Sequence, residues 1–347
     1  MSKLIKLIFS ESFKKLLFFG LLMSLFYLTA RIGDPYYGKK EKVNSEKEEI
    51  IIADAKQPVF GLIYVAQEMG YFEDESLEVN FREFTTGEEA LGSVINKEAD
   101  LATVFSSPVI KAVFEGKDLS LISTLHTSSE NISLLANKSK GIDCVEKLKG
   151  KKVAVEKGTS AEYFLHALIS ESCLNLCEIE VINLPNSEGL ELFAQGKIDG
   201  VMTWNMPLYR TRKLLAPNET VAINSRSLNE YSILVGTREF VESNPTKIKK
   251  LLKALLKAEN FTRNNKEETI RILAEKSFGV SESEMTEVWD HFELRLGLDN
   301  LFLSSMEREA RWHINQGMYE ASNLPNLRKI IKIDYLSDLS SDSVTIF

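Results

Sequence analysis

"GEEALGSVINKEADLATVFSSP", residues 87–108, and "NSEGLELFAQGKIDGVMTWNMP", residues 186–207, align without a gap. Glu89 falls on Glu188, Leu91 on Leu190, Asp100 on Asp199 and Pro108 on Pro207. Four identities in 22 positions carry less weight than the shared pattern. Both stretches read as a helix, a polar turn, a short apolar strand, and then a proline where another helix begins. The repeat predicts two lobes of the same construction.

The flanking sequence extends the repeat in both directions. "IIIADA" (50–55), "LEVNFREF" (77–84) and "DLATVF" (100–105) are strand candidates, with helical patterns at 58–70 and 88–96 between them. "KKVAVE" (151–156), "IEVINL" (179–184) and "DGVMTW" (199–204) repeat that order, with helices at 160–172 and 187–195. Apolar strands alternating with helices predict an α/β fold, each lobe a mainly parallel sheet flanked by helices, with a cleft between the lobes. "DLSLISTL" (118–125) and "ISLLANK" (132–138) lead out of the first lobe, and "YSILVG" (231–236) returns to it. Beyond Pro245 the pattern reads as helical near 246–263, 267–277, 283–296 and 304–321. The expected division is 49–139 with 229–347 as the first lobe, and 140–228 as the second.

The first 32 residues are of another kind. Lys14 and Lys15 precede "LLFFGLLMSLFYLTA" (16–30), which carries no charge. A charged segment followed by an apolar one is the order of an export signal. The segment is either an uncleaved anchor or a cleaved signal peptide; the large Leu28 near Ala30 weakens the cleavage site and favours the anchor. Its lysines would stay on the cytoplasmic side. Residues 33–48, polar and charged, read as a tether.

Charge excludes one class of partner. Residues 1–32 carry five basic side chains and one acid, so subtracting +4 from the total of −8 leaves −12 for residues 33–347. A body that acidic is a poor polyanion binder, and nucleic acid is not an expected partner. Cys144, Cys173 and Cys177 are too few for a disulfide framework. They read as small apolar side chains, with Cys173 and Cys177 placed to pair if the compartment is oxidising. The histidines are scattered, and His166 falls on the solvent side of its helix. No nucleophile elbow, phosphate loop or metal-ligand spacing is present in the sequence, so no catalytic residue, metal or cofactor is expected.

What recurs is a helix start placed directly after a strand: Gln57-Pro58, Ser106-Ser107-Pro108, Gly158-Thr159-Ser160, and Trp204-Asn205-Met206-Pro207. Each is a credible cap, and Thr159 with Glu162 fits a capping box. All four also lie at carboxyl ends of strands, where α/β sheets bind ligands. Helix starts present N–H groups and partial positive charge, which suits an anion. Gly158 allows close backbone approach, Ser107 and Ser160 offer hydroxyls, and Trp204 offers a flat apolar wall. Four converging junctions predict a site for a small anion.

These residues resemble the solute-binding component of ABC importers, in the class for nitrate, aliphatic sulfonates, taurine and thiamine-pyrimidine precursors. The resemblance spans about 50–347 and rests on "GLIYVAQEMGYFED" (61–74), "ADLATVFSSPVI" (99–110), "LKGKKVAVEKGTSAEYFL" (148–165), "VINLPNSEGLELFAQGKIDGVMTW" (181–204) and "LVGTREFVESNP" (234–245). It implies a two-lobed, periplasmic-binding-protein-like protein that closes on a small-molecule ligand and delivers it to a permease driven by an ATPase. By position it implies ligand-binding roles for Gln57, Pro58, Ser106, Ser107, Thr159, Ser160, Trp204 and Asn205. Two departures stand out. Many relatives carry an acid where this chain has Asn205, and the lipid-bearing cysteine of extracellular relatives is missing, which favours the periplasmic face of an inner membrane.

The expected ligand is a small organic anion, sulfonate-like ahead of nitrate. The alternatives are a pyrimidine or thiamine precursor, an enzyme on the same fold of pyrimidine-precursor or menaquinone-pathway type, and a membrane-tethered sensor.

Overall fold

The computed structural model describes residues 47–346 apart from 217, 278, 292, 321 and 323. The expected anchor or signal at 1–32 lies outside the described residues, as does the tether except Lys47 and Glu48. Among the described residues no helix is long and apolar enough to cross a membrane.

The chain opens with β1 (Glu48–Asp54), a 3-10 turn (Pro58–Phe60) and helix α1 (Gly61–Glu68), then α2 (Tyr71–Asp74), β2 (Leu77–Glu83), α3 (Gly87–Ile95), β3 (Leu101–Phe105) and α4 (Ser106–Phe114). Helix α3 starts where it does because Thr86 Oγ1 accepts from Glu89 N–H at 3.2 Å, while Glu89 Oε2 accepts from Thr86 N–H at 3.1 Å. That reciprocal cap satisfies two donors that a helix start leaves open. Strand β4 (Leu119–Ser128) then leads to β5 (Ile132–Asn137).

The second unit is β6 (Lys152–Val155), α5 (Ser160–Ser170), β7 (Glu180–Asn183), α6 (Asn186–Ala194), β8 (Gly200–Trp204), α7 (Asn205–Lys213) and β9 (Thr220–Ile223). The chain returns through β10 (Glu230–Thr237) to α8 (Arg238–Ser243), α9 (Pro245–Asn264), α10 (Lys266–Lys276), α11 (Glu282–Val288), β11 (Glu293–Gly297), α12 (Asn300–Asn315) and α13 (Ile333–Ser337).

Two sheets result, ordered β11-β4-β10-β3-β1-β2 and β7-β6-β8-β5-β9. The parallel part of each is the repeated βαβαβ unit: β2-β1-β3 in one, β7-β6-β8 in the other. Strands β10, β4 and β11 pair antiparallel in the first sheet, β5 and β9 in the second. Each sheet is therefore mixed, because the strands that carry the chain between the lobes add antiparallel neighbours to the parallel unit.

The internal repeat extends to individual bonds. Asp100 Oδ2 accepts from Ile51 N–H at 2.8 Å, and Asp199 Oδ2 accepts from Lys152 N–H at 2.9 Å. The backbone N–H groups of the same two aspartates donate to Ile51 O and Lys152 O. Each aspartate thus ties the entry of its third strand to the neighbouring first strand. The alignment of the two stretches is an alignment of structure.

Several expectations are corrected. Ile132–Asn137 pairs in the second sheet and not the first, so the crossing falls at residues 129–131, ahead of the expected boundary at 139/140. Residues 293–297 form a strand where a helix was expected to 296, because Leu294 and Leu296 are buried against the open edge of β4. Cys173 and Cys177 are exposed and unpaired, at the surface turn after α5. His166 is half-buried, its ring meeting that of Trp312 edge-on at 5.3 Å. In the core, Gly236 on β10 sits so close to β3 that a Cβ there would meet Leu101 Cδ2 at 2.8 Å and Asp100 O at 3.0 Å.

Candidate functional site

The strand ends of both sheets meet around one cavity of about 550 Å³. The first lobe contributes Lys56, Gln57, Pro58 and Val59 after β1, Thr85–Glu88 at the start of α3, Phe105 and Pro108 at the β3–α4 junction, and Val280 and Val288. The second lobe contributes Glu156, Gly158, Thr159 and Ser160 between β6 and α5, and Trp204, Asn205, Met206, Pro207 and Arg210 at the β8–α7 junction. Asn131, in the segment crossing between lobes, completes the lining.

Of the expected residues, Gln57, Pro58, Gly158, Thr159, Ser160, Trp204 and Asn205 come together here. Ser106 and Ser107 are not in the lining. Ser106 Oγ donates to Glu309 Oε2 at 2.7 Å, and Ser107 Oγ donates to Glu309 Oε1. Glu309, on α12, is fully buried. An internal carboxyl group therefore occupies the positive start of α4, the place expected to receive a ligand. Its acidic side chain is hidden in the sequence within an amphipathic helix, so nothing local marks it.

The Thr159–Glu162 capping box does not form. Thr159 Oγ1 donates to Glu156 O at 2.7 Å, and Glu162 Oε2 accepts instead from Gly158 N–H at 2.8 Å. Gly158 has φ +79, a left-handed conformation that costs other residues roughly 1–2 kcal/mol. The glycine shapes the turn so that Ser160 begins α5 at the cavity wall.

The β1 loop has its own anchor. Asp54 is buried and accepts from Thr103 Oγ1 at 2.6 Å, Tyr64 Oη at 2.6 Å and Lys56 N–H at 3.1 Å. Burial pushes its carboxyl up, and those hydrogen bonds pull it partly back. The three bonds hold the loop that presents Lys56, Gln57 and Pro58. An acid inside the apolar run "IIIADA" was the available signal for Asp54.

A second buried acid lies beneath the lining. Glu230 accepts from Asn131 Nδ2 and, at 3.5 Å, from Ser160 Oγ. Trp204 hydrogen-bonds to it as well. Burial pushes its carboxyl up to about 8.

The cations in the lining are both engaged. Lys56 meets Glu83 at 2.5 Å, and Arg210 reaches Glu284. Asn205 supplies an open donor: it is 7 % exposed, and its Nδ2 is buried with no hydrogen-bond partner. Its backbone N–H donates to Asn131 O at 2.8 Å, which fixes the residue against the crossing segment. Trp204, Phe105, Val59, Met206 and the three prolines make the rest of the wall largely apolar. Among the described residues no cluster of three or more His, Cys, Asp or Glu could hold a metal ion. The arrangement can bind a solute with one polar end and an apolar body.

Known proteins resemble the chain in sequence and in fold. The family described as NMT1/THI5 like matches residues 57–269. A protein of Bacillus subtilis (strain 168) named as aliphatic sulfonates-binding is 28% identical over 203 residues, 56% of this chain and 60% of its own length. One of the same description from Escherichia coli (strain K12) is 26% identical over 215 residues, 62% of this chain and 66% of its own length. The chain thus spans less than two thirds of these curated relatives. The crystal structure of the periplasmic aliphatic sulphonate binding protein SsuA from Escherichia coli superposes with a TM-score of 0.73 at 21% identity, covering 82% of this chain and 97% of that one. That likeness establishes a shared periplasmic-binding-protein fold.

Proposed function

Since the chain belongs to the NMT1/THI5-like family, we propose that it is the solute-binding component of an ABC importer, holding a small organic anion of sulfonate type between its lobes. It would hand that ligand to a permease coupled to an ATPase. Export to the periplasmic face of the envelope belongs to the same proposal, with residues 1–32 as anchor or signal. The observation that carries it is the single cavity walled by helix starts from both lobes, with Asn205 as an open donor and Trp204 as apolar wall. At about 550 Å³ the cavity is in the range of drug-sized ligand sites, and much larger than nitrate needs.

A neutral aminopyrimidine is the second reading. It has one feature on its side: the acid Glu230 directly beneath the lining, with both lining cations engaged elsewhere.

Thermal unfolding of the purified full-length chain with linear alkanesulfonates, taurine, nitrate and a hydroxymethyl aminopyrimidine separates the two. A ligand at 100 times its dissociation constant adds about 2.7 kcal/mol of stability. Stabilisation by alkanesulfonates supports the proposal; stabilisation by the pyrimidine alone replaces it.

A further inference from the structure

Two buried carboxyl groups, Glu230 and Glu309, stand behind the cavity wall among hydroxyls, an amide and an indole. Glu162 of α5 accepts from Gly158 N–H at 2.8 Å, and Glu88 and Glu156 lie in the lining itself. Glu230 begins β10, at the end of one segment crossing between the lobes; Asn131 lies in the other. Glu230 is tied to Asn131, Ser160 and Trp204, all three of which line the cavity. Its strand neighbour across β4 is Ser128. From α12, Glu309 acts on it by charge repulsion.

Glu309 in turn faces Ser106 and Ser107 of α4. Tyr163 of α5 lies close enough that the Glu309 charge helps push its phenol up, behind the larger effect of burial. Arg308, beside it on α12, donates to Ser227 O at 3.0 Å, and its charge acts on Tyr163 in the sense opposite to that of Glu309. His313, one turn further on, is held down to about 4 by burial. Burial raises the Glu309 carboxyl, and the hydrogen bonds from Ser107 and Ser106 pull it partly back.

We propose that Glu230 and Glu309 are specificity-determining residues of the cleft, admitting a singly charged anion only together with a proton. This inference rests on the anion site proposed above. The argument is electrostatic. A sulfonate at the start of α5 would lie one hydroxyl away from Glu230, since Ser160 bridges the two. With both acids ionised, the incoming anion would add a further negative charge beside the buried Glu230, at a lining that already carries Glu88 and Glu156 and whose cations, Lys56 and Arg210, are paired with Glu83 and Glu284. Interactions between charges are several-fold stronger there than in bulk water. Proton uptake removes one charge, and helix starts together with Asn205 can then hold the anion. Burial already pushes Glu309 up to about 7 and Glu230 up to about 8, so the protons are available near neutrality. The two groups titrate as a coupled pair.

Calorimetric titration of the full-length chain with butanesulfonate, in two buffers of different ionisation enthalpy, reads the proton directly. At about pH 9 the chain should take up close to one proton per anion, and near pH 6 close to none. The dissociation constant should rise about tenfold per pH unit above the upper apparent value. Butylphosphonate, doubly charged at the alkaline end, should bind at least tenfold more weakly than butanesulfonate. Glu230→Gln and Glu309→Gln should each flatten the pH dependence and bind well at the alkaline end. The wild-type measurement stands whether or not a variant folds. Equal affinity from pH 6 to pH 9 without proton exchange overturns this inference and leaves the anion reading intact. Absence of butanesulfonate binding at every pH overturns the anion reading, and this inference with it.

Discussion

Arg210, on α7 of the second lobe, grips Glu284, on α11 of the first, with Nε to Oε1 at 2.7 Å and Nη2 to Oε2 at 3.2 Å. The guanidinium also donates to Gly279 O. A two-pronged pair of this kind fixes direction as well as distance. It joins the lobes at a wall of the cavity, which Arg210 lines. Glu284 is further held by Ser281, whose cap it completes.

The pair should bias the lobes toward closure without adding much to global stability. Exposed pairs contribute about 0.2–1 kcal/mol. Arg210→Met is predicted to raise the radius of gyration in solution scattering and speed ligand release, with an unfolding midpoint close to wild type. Unchanged scattering and release would show that the pair holds nothing shut. Its pH dependence follows from the hydrogen bond to Arg210, reinforced by Ser281, which holds the Glu284 carboxyl down at about 2. The contact is intact above the ordinary carboxylate range and is lost only as pH falls through about 2.

Asn205 is predicted to give the ligand its side-chain donor. Asn205→Asp exchanges that donor for an acceptor and adds negative charge in a buried position. Binding of butanesulfonate should weaken at least tenfold, about 1.4 kcal/mol, as read by calorimetry. Affinity within twofold of wild type would remove Asn205 from the site.

Asp54 is predicted to be a positioning residue. Asp54→Ala strands two buried hydroxyls, Thr103 and Tyr64, and frees the loop that carries Gln57 and Pro58. A loss of about 2–4 kcal/mol in denaturant unfolding is expected from stranded buried partners. Asp54→Asn keeps an acceptor and should lose less. Equal losses for the two variants would point to the negative charge as the feature that matters.

Stability itself should respond to pH through Glu230. Its ordinary value is 4.5, and burial raises it to about 8 in the folded chain. The folded state therefore binds a proton that the unfolded state releases, and stability falls as pH rises between those values. Above about pH 8 the full cost of a buried charge is present. Glu230→Gln should unfold at a higher temperature than wild type near pH 9 and show a shallower pH profile. A variant with the wild-type slope would assign that dependence to other groups.

Much of the architecture was legible because it is written locally. The alternation of apolar strands with helices, the proline near the start of α4 and α7, and the paired aspartates Asp100 and Asp199 all depend on neighbours within a few residues or on the repeat itself. The strand at 293–297 was not legible. Leu294 and Leu296 alternate over too short a run, between helices, and only the free edge of β4 makes that run a strand.

The chain's own order of residues thus determined two βαβαβ units and a helix start directly after a strand at each of the four junctions, since hydrophobic period acts over one turn or one strand. None of the four starts carries a side-chain cap. Tertiary structure alone decided which groups those helix starts meet. Ser107 and Glu309 are 202 residues apart, Asn131 and Glu230 are 99 apart, and Arg210 and Glu284 are 74 apart. Nothing in the local pattern around a serine states whether its hydroxyl will face a ligand or a buried carboxyl. Chain topology brings α12 behind α4 and β10 behind α5, and burial then turns two ordinary glutamates into acids that hold their protons near neutrality.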